Sequence, residues 1–190
     1  VGEAKREMMA EVAATIAFSA IQNNDKIGMI FFSDKIEKFI PPKKGRKHIL
    51  YIIRELIDFQ PESTGTNISL ALEYMTNAIK KRCTTFLISD YKNALSIANR
   101  RHDLVAIQVY DRRETQLPDV GLIKLQDSER GCEQWVDSSS ANVRNRYAAW
   151  WNSRQERMLS TLRKSRVDLA TIATNDDFVV ALMTLFKRRG

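Results

Sequence analysis

Two side chains combine polar chemistry with a place at the end of a predicted element. Asp90 closes the run Thr84 to Tyr91, which reads Thr-Thr-Phe-Leu-Ile-Ser-Asp-Tyr, and Thr66 stands just before an amphipathic stretch that begins at Asn67. In open α/β sheets ligands gather beyond the carboxyl ends of the strands, which gives the Asp90 carboxylate a functional position. The Thr66 hydroxyl falls at or near a helix N-cap, where Thr is favoured for accepting a backbone N–H. Nucleophilic or cofactor chemistry finds no comparable set. There is no Gly-x-Gly-x-x-Gly, no phosphate loop and no Gly-x-Ser-x-Gly elbow, and His48 and His102 stand on separate elements without a nucleophile nearby in sequence. Enzymatic turnover is therefore not expected.

The elements that position these residues follow from the apolar pattern. Thr84 to Ser89 is continuously apolar rather than alternating, the pattern of a strand covered on both faces, and it predicts a central strand of a parallel sheet. Lys5 to Ile21 carries Met8, Met9, Val12, Ala13, Ile16, Ala17 and Ala20 at helical spacing. Lys26 to Phe32 reads as a buried strand and Ile36 to Ile40 as its antiparallel hairpin partner, ended by Pro41-Pro42 and placed at a sheet edge. Arg46 to Phe59 and the stretch from Asn67 through Ile79 read as helices.

A short helix is expected from Asn93 to Arg101, then a buried strand from Asp103 to Val109. Leu122 to Leu125 and Glu133 to Val136 read as a second hairpin, around Asp127, Ser128, Arg130 and Gly131, and Asp137 to Ser140 as a helix-capping cluster. Ala141 to Lys164 is the longest helix, with Val143, Tyr147, Trp150, Trp151, Met158 and Leu162 read as its core stripe. A strand at Asp168 to Ile172 and a helix at Asp176 to Arg189 close the chain. The rhythm predicts one α/β domain, a doubly wound, mostly parallel sheet with one antiparallel edge strand, flanked by helices.

Composition narrows the function classes. With 190 residues, 44% hydrophobic and 28% charged, the chain is an ordinary globular sequence. No apolar run reaches the roughly 18 residues that cross a bilayer. Cys83 and Cys132 lack the number and spacing of a disulfide framework or a zinc site, which fits reduced thiols and a cytoplasmic location. The net charge of +7 is spread over clusters such as Lys80-Lys81-Arg82 and Lys187-Arg188-Arg189. Several fall at predicted helix C-termini, where cations complement the helix dipole. Without an accompanying aromatic or Gly-rich motif, the charge argues against nucleic acid as the main partner, and a basic nucleic-acid-associated domain is the alternative reading.

A series of short motifs carries a resemblance. Ala17-Phe18-Ser19-Ala20, Asn23-Asn24-Asp25-Lys26-Ile27-Gly28, Phe32-Ser33-Asp34, Phe39-Ile40-Pro41-Pro42-Lys43-Lys44-Gly45, Gly65-Thr66-Asn67, Phe86-Leu87-Ile88-Ser89-Asp90 and Leu117-Pro118-Asp119-Val120-Gly121 occur in one order along the chain. Together they resemble the bacterial "domain of unknown function 58" family, which is similar to von Willebrand factor A domains and is typically encoded beside MoxR-type AAA+ ATPases. The resemblance implies a von Willebrand factor A-like, Rossmann-like fold over residues 1–190 and a non-catalytic module that binds proteins, working with a MoxR-type ATPase in assembly or maturation. It also implies a Mg²⁺ site built from an Asp-x-Ser-x-Ser loop, a Thr and an Asp, of which Thr66 and Asp90 match the second and third parts. A hard cation suits such ligands.

The first part is absent, because the family's loop precedes a segment like Gly2 to Glu7, and Asp137-Ser138-Ser139-Ser140 imitates it only in composition. The resemblance therefore implies a domain lacking its N-terminal first strand, with Mg²⁺ belonging to a longer protein and no competent metal site in this chain. That strand would lie between Lys26 to Phe32 and Thr84 to Ser89, so its absence predicts an open sheet edge and self-association through it.

Overall fold

The computed structural model describes residues 2–63, 65–91, 101–126 and 133–189. In chain order the elements are α1 (Gly2–Gln22), β1 (Ile27–Phe32), β2 (Ile36–Lys43), α2 (Arg46–Asp58), α3 (Ile68–Ala78), β3 (Thr84–Ser89) and β4 (Asp103–Tyr110). A 3-10 turn (Arg112–Glu114) leads to β5 (Leu122–Gln126), β6 (Glu133–Asp137), α4 (Ala141–Lys164), β7 (Asp168–Ala173) and α5 (Phe178–Arg189). The expected helix at Asn93 to Arg101 and the residues joining β5 to β6 lie outside the described residues, apart from Arg101 itself.

The fold is mixed α/β. A parallel sheet of order β3-β4-β7 is flanked by helices, and two antiparallel pairs, β1-β2 and β5-β6, accompany it. Its register runs Thr84 opposite Asp103 to Ser89 opposite Gln108, and Val105 opposite Asp168 to Tyr110 opposite Ala173. Here the sequence reading of β3 needs correction. Among the described residues β4 is the central strand and β3 an edge. Apolar side chains on both faces of β3 report helices above and below it, and say nothing about a neighbour in the hydrogen-bonding direction.

A second correction concerns β2, which continues through Pro41 and Pro42 to Lys43 instead of stopping before them. Among the described residues it pairs only with β1, so the missing proline N–H groups on its outer side cost it no ladder. The backbones approach so closely there that a Cβ on Gly28 would lie 2.7 Å from the Ile40 carbonyl oxygen.

Helices cover both faces. Ile68, Leu72 and Met75 of α3 and Met158 and Leu162 of α4 pack on Leu87, Leu104 and Ala106, while Met8 and Val12 of α1 and Leu182 and Leu185 of α5 pack on Val105, Ile107, Val109 and Ile172. Ile52 of α2 packs on Phe31 and Ile40 of the β1-β2 pair. The stripe on α4 is core only in part. Trp151, Met158 and Leu162 are buried, Tyr147 is half-buried, and Trp150 is exposed.

Ile30 and Phe32 of β1 pack against the same cluster as Leu87 of β3, and α3 touches β1 and β2 as well, yet no ladder joins β1 to β3. The strands are parallel by connectivity: the Asn67 N–H, at the start of α3, donates to the Ser33 carbonyl just after β1 (2.7 Å), and α3 then runs back to the start of β3. Among the described residues, then, β1 pairs only with β2 and β3 only with β4, so each keeps one edge without a ladder.

Candidate functional site

Both residues singled out from sequence lie at the carboxyl ends of strands. Asp90 directly follows β3, and Thr66 stands one residue before the N-cap of α3, tied to the end of β1 through the Asn67–Ser33 bond. Thr66 is not the cap. Asn67 takes that role, its side-chain oxygen accepting the Leu70 N–H at 3.0 Å. Asn caps at least as well as Thr, and Thr66 stands beside the cap, near it as expected.

The direction of Asp90 is enforced by Tyr91. That residue turns the backbone through the left-handed region, φ 49°, a conformation uncommon for a bulky side chain. It is held because the buried phenol donates to the Leu87 carbonyl (2.8 Å) and Arg154 Nη2 donates to the Tyr91 carbonyl (3.0 Å). Burial pushes the Tyr91 phenol far above its ordinary pKa, keeping it neutral and a donor.

The partner of Asp90 is a residue that sequence reading passed over. Lys5, only 5% exposed, extends its ammonium to Asp90 Oδ2 at 3.3 Å and Glu114 Oε1 at 2.7 Å. Burial disfavours the ammonium, but the hydrogen bond to Glu114 and the charges of Asp90 and Glu114 outweigh it and raise the Lys5 pKa above the ordinary lysine value. Glu114 ends the 3-10 turn, whose capping box joins it to Asp111. Asp111 is itself buried and gripped by Arg113, whose hydrogen bonds, 2.7 Å from Nη2, hold its carboxyl below the usual carboxylate range. Tyr147 of α4 donates to the Glu114 carbonyl at 3.1 Å. Lys5 sits three residues before Met8 and seven before Val12, on the inward stripe of α1, and that spacing is the signal that could have found it.

The fit to a divalent cation is poor. Among the described residues no three His, Cys, Asp or Glu side chains converge as a metal-binding group. The Asp90 carboxylate already faces a buried ammonium. Asp137, the imitation of the missing loop, is spent locally, accepting from Ser139 N (3.0 Å) and Ser139 Oγ (2.6 Å). Nor does this cluster cap α4 as expected: the N-cap Ser140 makes no side-chain cap bond, and Ser138 Oγ instead donates to the Gly121 carbonyl at 2.7 Å. The Asp137 to Ser140 turn thus fastens the β5-β6 hairpin, a contact invisible to local sequence.

At the opposite end of the sheet the fold brings together what sequence kept apart. Cys83 Sγ lies 3.2 Å from His102 Nδ1, the two residues preceding β3 and β4, and the Asp103 N–H donates to the Cys83 carbonyl at 2.9 Å. Burial, with the charge of Arg101, lowers the His102 pKa and favours the neutral ring. Elsewhere a cleft of about 370 Å³ opens between α4 and the β4-β7 face, lined by uncharged groups including Gln108, Thr171, Gln116 and Asn152.

A helix-flanked parallel sheet with a buried charge cluster at its carboxyl end defines a mixed α/β domain. The chain belongs to the family described as "Protein of unknown function DUF58", whose model matches residues 1–157. It is 24% identical over 196 residues to the uncharacterized protein Rv1480 of Mycobacterium tuberculosis, an alignment that covers 98% of this chain and 62% of that protein. It is 23% identical over 158 residues to the uncharacterized protein MAV169 of Mycobacterium avium, covering 79% of this chain and 93% of that one. The chain therefore spans about three fifths of the length of the first curated relatives it matches. Its fold is similar to the crystal structure of the conserved hypothetical protein BatB from Bacteroides thetaiotaomicron, with a TM-score of 0.50 and 13% identity, covering 95% of this chain and 86% of that one. No helix among the described residues is long and apolar enough to cross a membrane.

Proposed function

We propose that this chain is a non-catalytic protein-interaction module, a von Willebrand factor A-like domain over residues 1–190, that works in the cytoplasm with a MoxR-type AAA+ ATPase in the assembly or maturation of other proteins. The observation that supports a binding role is that, among the described residues, β1 and β3 each keep one edge without a ladder while their side chains pack into one cluster. Such edges template pairing with another extended backbone, from a second copy or from a partner. Several basic side chains are also engaged within the chain: Arg189 with Asp103 and Asp168, Arg112 with Asp176, Lys38 with Glu55, and Arg101 Nη2 with the Lys80 carbonyl.

The decisive experiment is a pull-down with a purified MoxR-type ATPase from the same genome, with and without ATP. Specific capture at physiological salt supports the reading. Absence of capture in both states, together with DNA binding that weakens steeply with salt, replaces it with the nucleic-acid alternative. The non-catalytic part is tested separately by screening phosphatase, esterase, protease and ATPase substrates. Turnover abolished by a single substitution, with Cys83→Ala the first to try, would overturn it.

A further inference from the structure

Among the described residues, Lys5 makes a buried ionic bridge from α1 to two separate strand ends. Its ammonium is held between a carboxylate that follows β3 and another in the turn that follows β4, at 3.3 and 2.7 Å, with its own side chain 6% exposed and both carboxylate side chains 20% exposed. A buried cation shared by two carboxylates has the electrostatic function that a bound metal ion serves elsewhere: it neutralises converging oxygens and ties the elements that carry them. Three features mark the arrangement as built rather than incidental. Lys5 lies on the inward stripe of α1 one turn before Met8, Tyr91 takes a left-handed backbone conformation just where Asp90 is aimed, and the Asp111–Glu114 capping box presents Glu114.

We infer that Lys5 is the resident cation of the carboxyl end of this sheet, a tethered substitute for a divalent metal, so that Asp90 is satisfied without one. The ammonium and a hard dication compete for the same oxygens, and the tethered charge holds an advantage because it is delivered by a packed helix at no cost in association entropy. The consequence is a latent cation site. Withdrawing the Lys5 charge leaves Asp90 and Glu114 facing each other across the space the ammonium occupied, which favours uptake of a hard cation by carboxylate oxygens.

Thermal melts and Mn²⁺ binding followed by electron paramagnetic resonance test this on the purified chain. For the unaltered protein the expected result is no bound Mn²⁺ and no Tm change when MgCl₂ replaces NaCl at equal ionic strength. Lys5→Met should lose at least about 5 °C in Tm, since breaking a buried pair is costly, and MgCl₂ should restore part of that loss where NaCl does not. Its Mn²⁺ uptake should exceed that of the unaltered protein by about tenfold or more, and Lys5→Met/Asp90→Asn should abolish the gain. Should Lys5→Met fail to fold, Asp90→Asn carries the test: it is expected to lower Tm with no change in the response to Mg²⁺. A Mg²⁺-dependent rise in Tm of the unaltered protein that disappears in Asp90→Asn overturns the inference, and so does a folded Lys5→Met variant with unchanged Tm or no gain in Mn²⁺ uptake.

Discussion

Strands β3 and β4 are the same kind of sequence in very different surroundings. Thr-Phe-Leu-Ile-Ser and Leu-Val-Ala-Ile-Gln are both apolar runs closed by a polar residue, and both are parallel strands with helices on the two faces. Yet β4 is buried along all but its ends, while in β3 Thr84 is exposed, Thr85, Phe86 and Ile88 are half-buried and only Leu87 and Ser89 are buried, because among the described residues β4 has a ladder on each side and β3 on one. The difference teaches that side-chain pattern reports what covers a strand's faces, whereas its edges are decided by which other segments reach it.

The sharpest way to break the comparison is a matched pair of truncations. Ile107→Ala in β4, at a site with no exposed surface, should cost about 2–5 kcal/mol in chemical denaturation, the range for emptying a well-packed core position. Ile88→Ala in β3, the register partner of Ile107 but only half-buried, should cost less than half as much. Equal losses would mean that β3 is enclosed as fully as β4, and that its edge is filled in solution.

That possibility leads to the second prediction. If the β1 and β3 edges pair with another copy, sedimentation at micromolar concentration should give a mass above the 21.9 kDa of one chain, with slow amide exchange in β3 that accelerates on dilution. A well-folded monomer with fast exchange in β1 and β3 and slow exchange in β4 would remove self-association and keep the contrast between the strands.

Much of the fold was legible in the sequence for a physical reason. Helices and strands with one consistent apolar face, such as α2 around Ile49 and Ile52 or β7 around Ile172, declare themselves through periodicity. Hairpins β1-β2 and β5-β6 were legible because their strands are close in sequence. What was not legible depends on long-range encounters. The strand β2 passes through two prolines because its outer edge has no partner among the described residues, and Ser138 serves Gly121 rather than α4. At the site, Asp90 could be placed at a strand end from local pattern alone. Lys5 and Glu114, 109 residues apart, could not be joined to it by any local rule, although Lys5 was conspicuous as a charge on an apolar stripe.

The carboxyl-end turn after β4 offers a third, smaller effect. Asp111 is buried, accepts the Arg113 N–H at 2.8 Å and anchors the turn that presents Glu114. Asp111→Ala should cost about 1–3 kcal/mol, as expected for a lost cap and an exposed charge partner. Because its folded pKa is depressed, Asp111 contributes stability that is present above the unfolded carboxylate value of about 4 and is lost as pH falls through the folded value. The unaltered protein should therefore lose more stability than Asp111→Ala between pH 5 and the acid limit. Parallel acid denaturation curves would detach Asp111 from this role.

The smallest effect tests the amino ends of the same two strands, where β3 and β4 are joined most directly. Cys83 and His102 touch there, and burial, helped by Arg101, lowers the His102 pKa. The unfolded chain then binds a proton more readily than the folded one. Stability from the neutral ring is fully present above the unfolded value of about 6.5 and declines as pH falls through the folded value, with a slope no steeper than about 1.4 kcal/mol per pH unit for a single proton. This window lies above the one in which Asp111 titrates, so the two can be read from one set of melts. His102→Gln keeps a polar side chain but cannot titrate. It should flatten the stability curve between about pH 6.5 and pH 5 while leaving the acid limb governed by Asp111 unchanged. Cys83→Ala should retain the pH slope, because desolvation rather than the thiol is the main cause of the shift. A slope that vanishes in Cys83→Ala would show that the thiol contact holds the ring neutral, and would make the join between β3 and β4 a specific Cys-His interaction rather than a consequence of burial.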